Sequence, residues 1–228
     1  MRDHYENIED FNSIYKTKFA SFNELQSADD WSDVLKSADL DDAADNRTFL
    51  LKILDRYYTV ACAAIRRVDA NHLIFGDILN AQTGTPDDIV SLLSKYTDLV
   101  AYQTYSQYDE HKMLLDRWSR LSGKPLYHAD TSFCVPYEEM PDPIGALCPD
   151  QAIRARRFYE SAGKSFSRPD VIGWNWCGWM DMWAQWKPDR QHTGLQDPFG
   201  NYHDPMPETM AEFGHYLYEY GHGRKIVK

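Results

Sequence analysis

Apolar residues recur along the chain at two spacings, one typical of helices and one of buried strands. Residues 45–68, DNRTFLLKILDRYYTVACAAIRRV, repeat apolar side chains at helical spacing and carry arginines in the last turn, which predicts a long helix. Four shorter apolar runs predict buried strands at 72–79, 98–105, 124–130 and 170–179. Stretches with helical spacing separate and follow these strands, at 85–96, 108–123, 149–166 and 205–220.

This alternation of strand and helix predicts the fold class. Four βα units in succession imply parallel strands joined by right-handed crossovers, so we expect an α/β protein. The helix boundaries carry familiar signals: Thr85 and Pro86 suit the cap and first position of one helix, and Gly123 suits the end of the next.

Residues 1–44 differ from the rest because they lack a convincing strand. The run IEDFNSIYKTKFASFNELQSADDW predicts a helix, a turn and a second short helix. We interpret residues 1–44 as a helical N-terminal segment, a lid or a remnant, and residues 45–228 as the region of four βα units.

The composition restricts the function classes. With 228 residues, 43% of them hydrophobic, the chain has material for one sizeable core. A formal net charge of -11 argues against binding nucleic acid or an anionic membrane, because both need a basic surface. The chain has neither a signal-like start nor an apolar run of membrane-spanning length. We therefore expect it to be cytoplasmic as given, or secreted if a longer protein carried a leader upstream.

The sequence gives no signal for a cofactor. The four cysteines, Cys62, Cys134, Cys148 and Cys177, include no C-x-x-C pair, which argues against a zinc ribbon or a thioredoxin-like redox site. The glycines are isolated, so no phosphate-cradling loop is indicated. We expect no cofactor.

Functional groups in parallel α/β folds lie at the carboxyl ends of the strands, where variable loops leave a rigid sheet. A glycosidase needs two carboxyl groups and aromatic faces for sugar rings, and Asp130 at the end of KPLYHAD can supply one carboxyl group. The tryptophan-rich run GWNWCGWMDMWAQW can supply the faces, although core packing and oligomer contacts are equally good reasons for tryptophan. The candidates at strand ends are Asp77, Asn80, Gln103, Tyr105, His128, Asp130, Asn175, Trp176 and Trp179.

Three segments carry a resemblance to a known family: DLVAYQTYSQYDEHKMLLDRWSRLSGKPLYHADTSF, VIGWNWCGWMDMW and RQHTGLQDPFGN. They resemble the C-terminal half of a clan A retaining glycoside hydrolase of the agarase and β-galactosidase type. The resemblance implies strands 5–8 of a (β/α)8 barrel, which is half a TIM barrel, and a β-linked oligosaccharide or polysaccharide as substrate. It also implies Asp130 at the nucleophile position and Tyr105 supporting it. The resemblance places Trp176 or Trp174 at the sugar-binding platform. Together with the candidates at strand ends, the predicted substrate-binding residues are Asp77, Gln103, His128, Trp174, Asn175, Trp176 and Trp179.

Two departures from the family pattern affect the predicted chemistry. Asp130 is one methylene shorter than the glutamate expected there, which displaces the reacting oxygen. The family's acid/base glutamate follows an asparagine at the end of the fourth strand, whereas Asn23 and Glu24 follow no strand here. Because a parallel barrel needs about eight strands, we expect self-association as a homodimer that completes the barrel and brings two Asp130 side chains into one cavity.

Two other interpretations stay open. A non-catalytic sugar-binding remnant would keep the tryptophans and lack the acid/base residue. A metal-dependent site would use His128 and Asp130, which are two positions apart on one strand, with His192 or His203 arriving from the following loop. A histidine beside an acid also occurs at strand ends simply to satisfy a hydrogen bond.

Overall fold

The structure is a computed structural model that describes residues 2, 4–28, 40–136, 146–182 and 192–221, with the backbone alone for 40–44. The chain divides into two compact units, Met1–Tyr57 and Tyr58–Lys228.

Two short helices occupy the first unit: α1, Ile8–Tyr15, and α2, Phe22–Gln26. Asn7 and Ser21 cap them, each side chain accepting a hydrogen bond from the backbone N–H three residues further on. The predicted helix, turn and second helix are confirmed, while the interpretation of residues 1–44 as a lid or a remnant stays a prediction. The apolar faces share a small core of Tyr5, Ile8, Phe11, Tyr15 and Leu25.

A long helix, α3, spans Leu40–Val68 and begins earlier than the predicted start at residue 45. Arg66 in its last turn donates a hydrogen bond to the carbonyl of His72 at 2.7 Å and another to the carboxylate of Asp98. These contacts fix the end of the helix to the segments that lead into the sheet.

Short strands and helices alternate after α3. The strands are β1 (Leu79–Asn80), β2 (Val100–Gln103), β3 (Leu126–Thr131), β4 (Phe133–Cys134), β5 (Ala146–Leu147) and β6 (Val171–Trp176). The helices are α4 (Asp87–Leu93), α5 (Tyr108–Ser122), α6 (Gln151–Phe166), α7 (Met206–His215) and α8 (Leu217–Gly221).

Four of these strands form one parallel sheet in the order β1-β2-β3-β6. The predicted α/β class with a parallel sheet is therefore confirmed. Strands β4 and β5 form a separate parallel pair that the sequence analysis did not predict. Because the four strands of the main sheet are parallel, their carboxyl ends lie along one edge.

Three predicted boundaries are wrong. The apolar run 72–79 pairs only at its end, because Gly76 has a φ of 74°, a left-handed conformation that interrupts an extended strand. Thr85 does not cap α4, since its hydroxyl donates instead to the carbonyl of Asn80 at 3.3 Å. The last predicted helix is split into α7 and α8. The end of α5 at Gly123, in contrast, is as predicted, with a φ of 62°.

Helices α5 and α6 pack on one face of the sheet. Tyr102 of β2 contacts Trp118 of α5 edge to face, and Trp174 of β6 packs on Phe158 of α6 with 5.1 Å between ring centroids. A larger cluster around α6 includes Phe133, Phe158, Phe213 and Tyr220. In the part of the chain that is described, no helix combines the length and apolar character needed to cross a membrane.

Candidate functional site

Asp130 and Tyr105 meet at the carboxyl edge of the sheet. The Tyr105 hydroxyl donates a hydrogen bond to Oδ2 of Asp130 at 2.7 Å. The other oxygen, Oδ1, is buried and has no hydrogen-bond partner among the described residues. Burial, together with the hydrogen bond to Asp130 and its charge, raises the pKa of Tyr105, so this hydroxyl stays protonated and acts as a donor.

One extra residue in β3 determines which way Asp130 points. Tyr102 pairs with His128, yet the next residue of β2, Gln103, pairs with Asp130, so β3 advances two residues where β2 advances one. The register between β3 and β6 also shifts in this stretch of β3, between His128 and Thr131. Strand side chains alternate between faces, so the extra residue puts Asp130 on the face opposite to His128 and on the same face as Gln103.

Cys177, directly after β6, completes the immediate surroundings of Asp130. Its backbone N–H donates to the carbonyl of Thr131 at 2.9 Å, which holds it beside the end of β3. Burial raises the pKa of the Cys177 thiol, and the negative charge of Asp130 raises it further. The thiol is thus kept protonated and is a poor nucleophile. Cys177 is not among the site residues predicted from the sequence, although its spacing of two from Asn175 places both on one face of an extended strand.

His128 does not join Asp130. Its ring is buried on the helix side of the sheet, stacked on Tyr102 with 4.5 Å between centroids, and Nε2 lies 3.3 Å from the carbonyl oxygen of Thr104. The predicted pairing of His128 with Asp130 in a metal site is wrong, because the extra residue in β3 separates the two side chains onto opposite faces.

The other polar candidates lie at different strand ends. Asp77 precedes β1, and its carboxylate accepts a hydrogen bond from the Tyr58 hydroxyl. Asn80 accepts hydrogen bonds from two backbone N–H groups of the following turn, at 2.9 and 3.0 Å. Gln103 pairs with Asp130 in the sheet register, and Asn175 is exposed on β6. Of these four, Gln103 and Asn175 share the face that carries Asp130.

The tryptophans differ in how much of the ring faces solvent. Trp174 and Trp176 are half-buried and pack against Phe158, with ring centroids 5.1 and 5.7 Å away. Trp176 also donates from Nε1 to the carbonyl of Thr193 at 2.8 Å. Trp179 is 62% exposed and offers a face for stacking. The remaining tryptophans of the run, Trp183 and Trp186, lie outside the described residues.

A second cluster of titratable side chains lies beyond β6. Oδ2 of Asp181 is 2.7 Å from Nε2 of His203 and 3.2 Å from Nε2 of His192. Burial opposes ionisation of Asp181, but hydrogen bonds from the two histidines outweigh it and hold the pKa of this carboxyl well below its usual range. Both histidines are predicted from the sequence as possible metal ligands, but the acid predicted beside them, Asp130, is wrong, because no sequence signal gives the path of the loop.

Comparisons with known proteins agree on one relationship. No protein family model matches the chain. The chain is 22% identical over 224 residues to β-agarase B from Vibrio sp. (strain JT0107), which covers 96% of this chain and 23% of that protein. The structure superimposes on an exo-β-agarase with a TM-score of 0.75 and 20% identity, over 96% of this chain and 29% of the other. For the protein PfGH50B the TM-score is 0.73, with 18% identity over 97% of this chain and 32% of that one.

These similarities cover nearly all of the present chain but less than a third of each of the three relatives. They confirm the predicted resemblance to agarases. The chain has the fold of a segment of these agarases and resembles them in sequence along most of its length.

Proposed function

We propose that the chain belongs to the catalytic region of a glycoside hydrolase that acts on β-linked polysaccharide, with Asp130 at the nucleophile position. The observation that carries this proposal is the hydrogen bond from Tyr105 to Asp130 at 2.7 Å, at the carboxyl edge of a parallel sheet. The similarity to agarases supports a polysaccharide or oligosaccharide as the substrate class.

Tyr105 would orient the carboxylate for attack. A phenol that donates to Oδ2 restricts rotation of the carboxyl group, and a carboxylate is the group that attacks an anomeric carbon. In this role Asp130 would form a bond to the anomeric carbon while the leaving oxygen takes a proton from a second carboxyl group. The exposed Asn175 and Trp179 would contact the sugar from β6 and the loop after it.

The second carboxyl group would come from assembly. We propose that the four strands correspond to strands 5–8 of a (β/α)8 barrel and that a second copy of the chain completes it. The outer strands of the sheet are β1 and β6. Apolar side chains that are exposed on β6 and in the segment before β1 support association, because burying them between two copies is favourable. The exposed side chains are Leu73, Phe75, Ile78 and Ile172. A separation of about 5 Å between the two carboxyl groups would give retention, and about 6.5 to 9.5 Å would give inversion.

A hydrolysis assay with Asp130→Asn tests this proposal. We expect the wild-type chain to cleave agarose-derived oligosaccharides or activated aryl β-galactosides, and Asp130→Asn to lower turnover by about two orders of magnitude or more. Asp10→Asn changes an exposed carboxylate on α1 and serves as the matched control. Turnover that is equal in Asp130→Asn and wild type would remove Asp130 from the reaction.

A non-catalytic sugar-binding function is the second candidate. It is favoured by one observation: Trp179 is 62% exposed, and its ring can stack on a sugar without any second carboxyl group. Calorimetric titration with the same oligosaccharides distinguishes the two functions. Binding without turnover, unchanged by Asp130→Asn and weakened by Trp179→Ala, would favour the sugar-binding function.

A further inference from the structure

The side chains of Asp181, His192 and His203 converge on one point. One ligand atom from each lies within 4.8 Å of the other two. The imidazole rings of His192 and His203 meet edge to face, with 5.1 Å between their centroids, so both Nε2 atoms approach the same carboxylate oxygen. Two imidazoles and one carboxylate form the donor set that proteins use for zinc and other late first-row metals.

The carboxylate is held in place by the backbone. Gly194 donates its N–H to Oδ1 of Asp181 at 2.8 Å, which leaves Oδ2 as the oxygen that faces both histidines. The two segments approach so closely that a Cβ on residue 194 would lie 2.3 Å from the backbone nitrogen of Asp181. Such outer contacts fix the orientation of a metal ligand before the metal binds.

We propose that Asp181, His192 and His203 form a binding site for a single Zn²⁺ ion, with water in the remaining position. Zinc bonds of about 2.1 Å in tetrahedral geometry place ligand atoms about 3.4 Å apart. The His192 to Asp181 distance of 3.2 Å is close to that spacing, while the 2.7 Å of His203 must lengthen. The side chain of His203 is 16% exposed and the other two are fully buried, so the residue that must move is the one at the surface.

The charges around the cluster select the kind of metal. The guanidinium of Arg154 donates to the carbonyls of Thr193 and Gly194, and its charge acts on both Asp181 and His192. A nearby positive charge disfavours Ca²⁺ and Mg²⁺, which depend on oxygen ligands and net negative charge. Zn²⁺ gains more from imidazole nitrogens, so it tolerates this environment better. A neutral imidazole binds the metal through Nε2 as the tautomer that carries its proton on Nδ1, whereas an imidazolium must release one proton to solvent.

Zinc would link two segments that the fold already holds together. Asp181 lies just beyond β6, and His203 lies shortly before α7, in a hairpin where Gln196 bridges to both Met180 and Tyr202. An ion shared by these segments stabilises the folded chain, because a site that binds the native state alone shifts the unfolding equilibrium.

The test is titration of the chelator-treated full chain with Zn²⁺ alone, followed by calorimetry and by thermal unfolding. We expect one ion per chain, a higher melting temperature with zinc, and affinity lowered by about 10- to 100-fold or more in His203→Gln. His203 is the only partly exposed residue of the three, so this variant is the one expected to fold, and far-ultraviolet circular dichroism checks it. His72→Gln is the matched control, since His72 forms a similar pair with Asp69 at 2.6 Å at an exposed position.

A second readout uses Co²⁺ in place of Zn²⁺. We expect the strong visible absorption of a four-coordinate Co²⁺ site in wild type and in His72→Gln, and its loss in His203→Gln. Absence of zinc uptake by wild type, or equal uptake by wild type and His203→Gln, would overturn the proposal. Either result would leave the three residues as a hydrogen-bonded cluster.

Discussion

Gly194 and Asp181 approach each other more closely than any residue with a side chain at position 194 would permit. A Cβ there would lie 2.3 Å from the nitrogen of Asp181 and 2.5 Å from the carbonyl carbon of Met180. Both atoms belong to the backbone, so they cannot turn aside as a flexible side chain can.

We expect Gly194→Ala to lower the free energy of unfolding by about 1–3 kcal/mol, the usual cost of inserting a methyl group into a packed site. Urea unfolding measures the change. Gly214→Ala is the control, because nothing lies within 4 Å of a Cβ at that position in α7 and alanine suits a helix better than glycine. Equal stability of the two variants would contradict the close approach.

The hydrogen bond between Tyr105 and Asp130 should appear as a coupling energy. In a double-mutant cycle of Tyr105→Phe and Asp130→Asn, we expect a coupling energy of about 1.5–3 kcal/mol, because the acceptor is a carboxylate and part of the pair is buried. Chemical denaturation of the four proteins gives the value. Additive effects would show that the two side chains act independently.

Stability should fall in mild acid because of His111 and His128. Burial lowers the pKa of His111 to about 4 and that of His128 to about 3, so both are neutral in the folded state. Unfolded histidine has a pKa of about 6.5 and takes up protons first as the pH falls. The unfolded state therefore gains stability below about pH 6.5, and the loss continues down to the folded pKa values.

We expect the free energy of unfolding to drop by at least about 2 kcal/mol between pH 6.5 and 4.5. Urea titrations across this range measure the slope of the free energy of unfolding against pH. His128→Gln should flatten this slope, and His72→Gln, at an exposed position, is the comparison variant. A slope that is the same in all three proteins would show that other groups control the acid response.

Arg154 is a buried cation whose removal should be costly. It donates to the carbonyls of Phe133, Thr193 and Gly194 at 2.8, 2.6 and 2.8 Å. Arg154→Met removes all three hydrogen bonds, although Trp176 still donates to the carbonyl of Thr193, and we expect a loss of about 3 kcal/mol or more in the free energy of unfolding. The control is Arg156→Met, two residues along the same helix, where an exposed side chain lies 3.9 Å from Glu160 and should matter little. Thermal unfolding of both variants checks the contrast.

Self-association should depend on the exposed apolar side chains at the sheet edges. We expect sedimentation to show a concentration-dependent dimer, and Ile172→Glu on β6 to weaken it at least about tenfold, since one charge would be buried without a partner. Met113→Glu, an exposed position on α5, should have no effect. A monomer at all concentrations would contradict assembly through β6.

The sequence predicted elements and strand ends better than side-chain directions. Gly123 marked the end of α5, and the apolar runs located β2, β3 and β6, because turn residues and apolar spacing are local signals. The location of Asp130 and Tyr105 at one edge of the sheet followed from parallel strands, and their direct contact followed from the family resemblance. The shortness of β1 could not be predicted, because Gly76 interrupts the strand through its backbone conformation and leaves the apolar pattern intact.

Long-range placement explains the remaining errors. The sequence predicted His128 beside Asp130, because residues two apart on a regular strand share a face. The single extra residue that separates them leaves no signal in the composition of the strand. Asp181, His192 and His203 come together through the course of a loop, which no local pattern encodes.

The extra residue in β3 makes the register of the strand part of the site. An uninterrupted strand of the same sequence would put Asp130 on the face of His128, in the helix layer, and would turn the buried Thr131 out of that layer. Removing Ala129 would instead take out the extra residue and leave Asp130 paired with Gln103, so the carboxylate would keep its face. Related chains that differ by one residue in this strand can therefore present the same carboxylate to the same side, and a comparison between them needs the register as well as the residue identities.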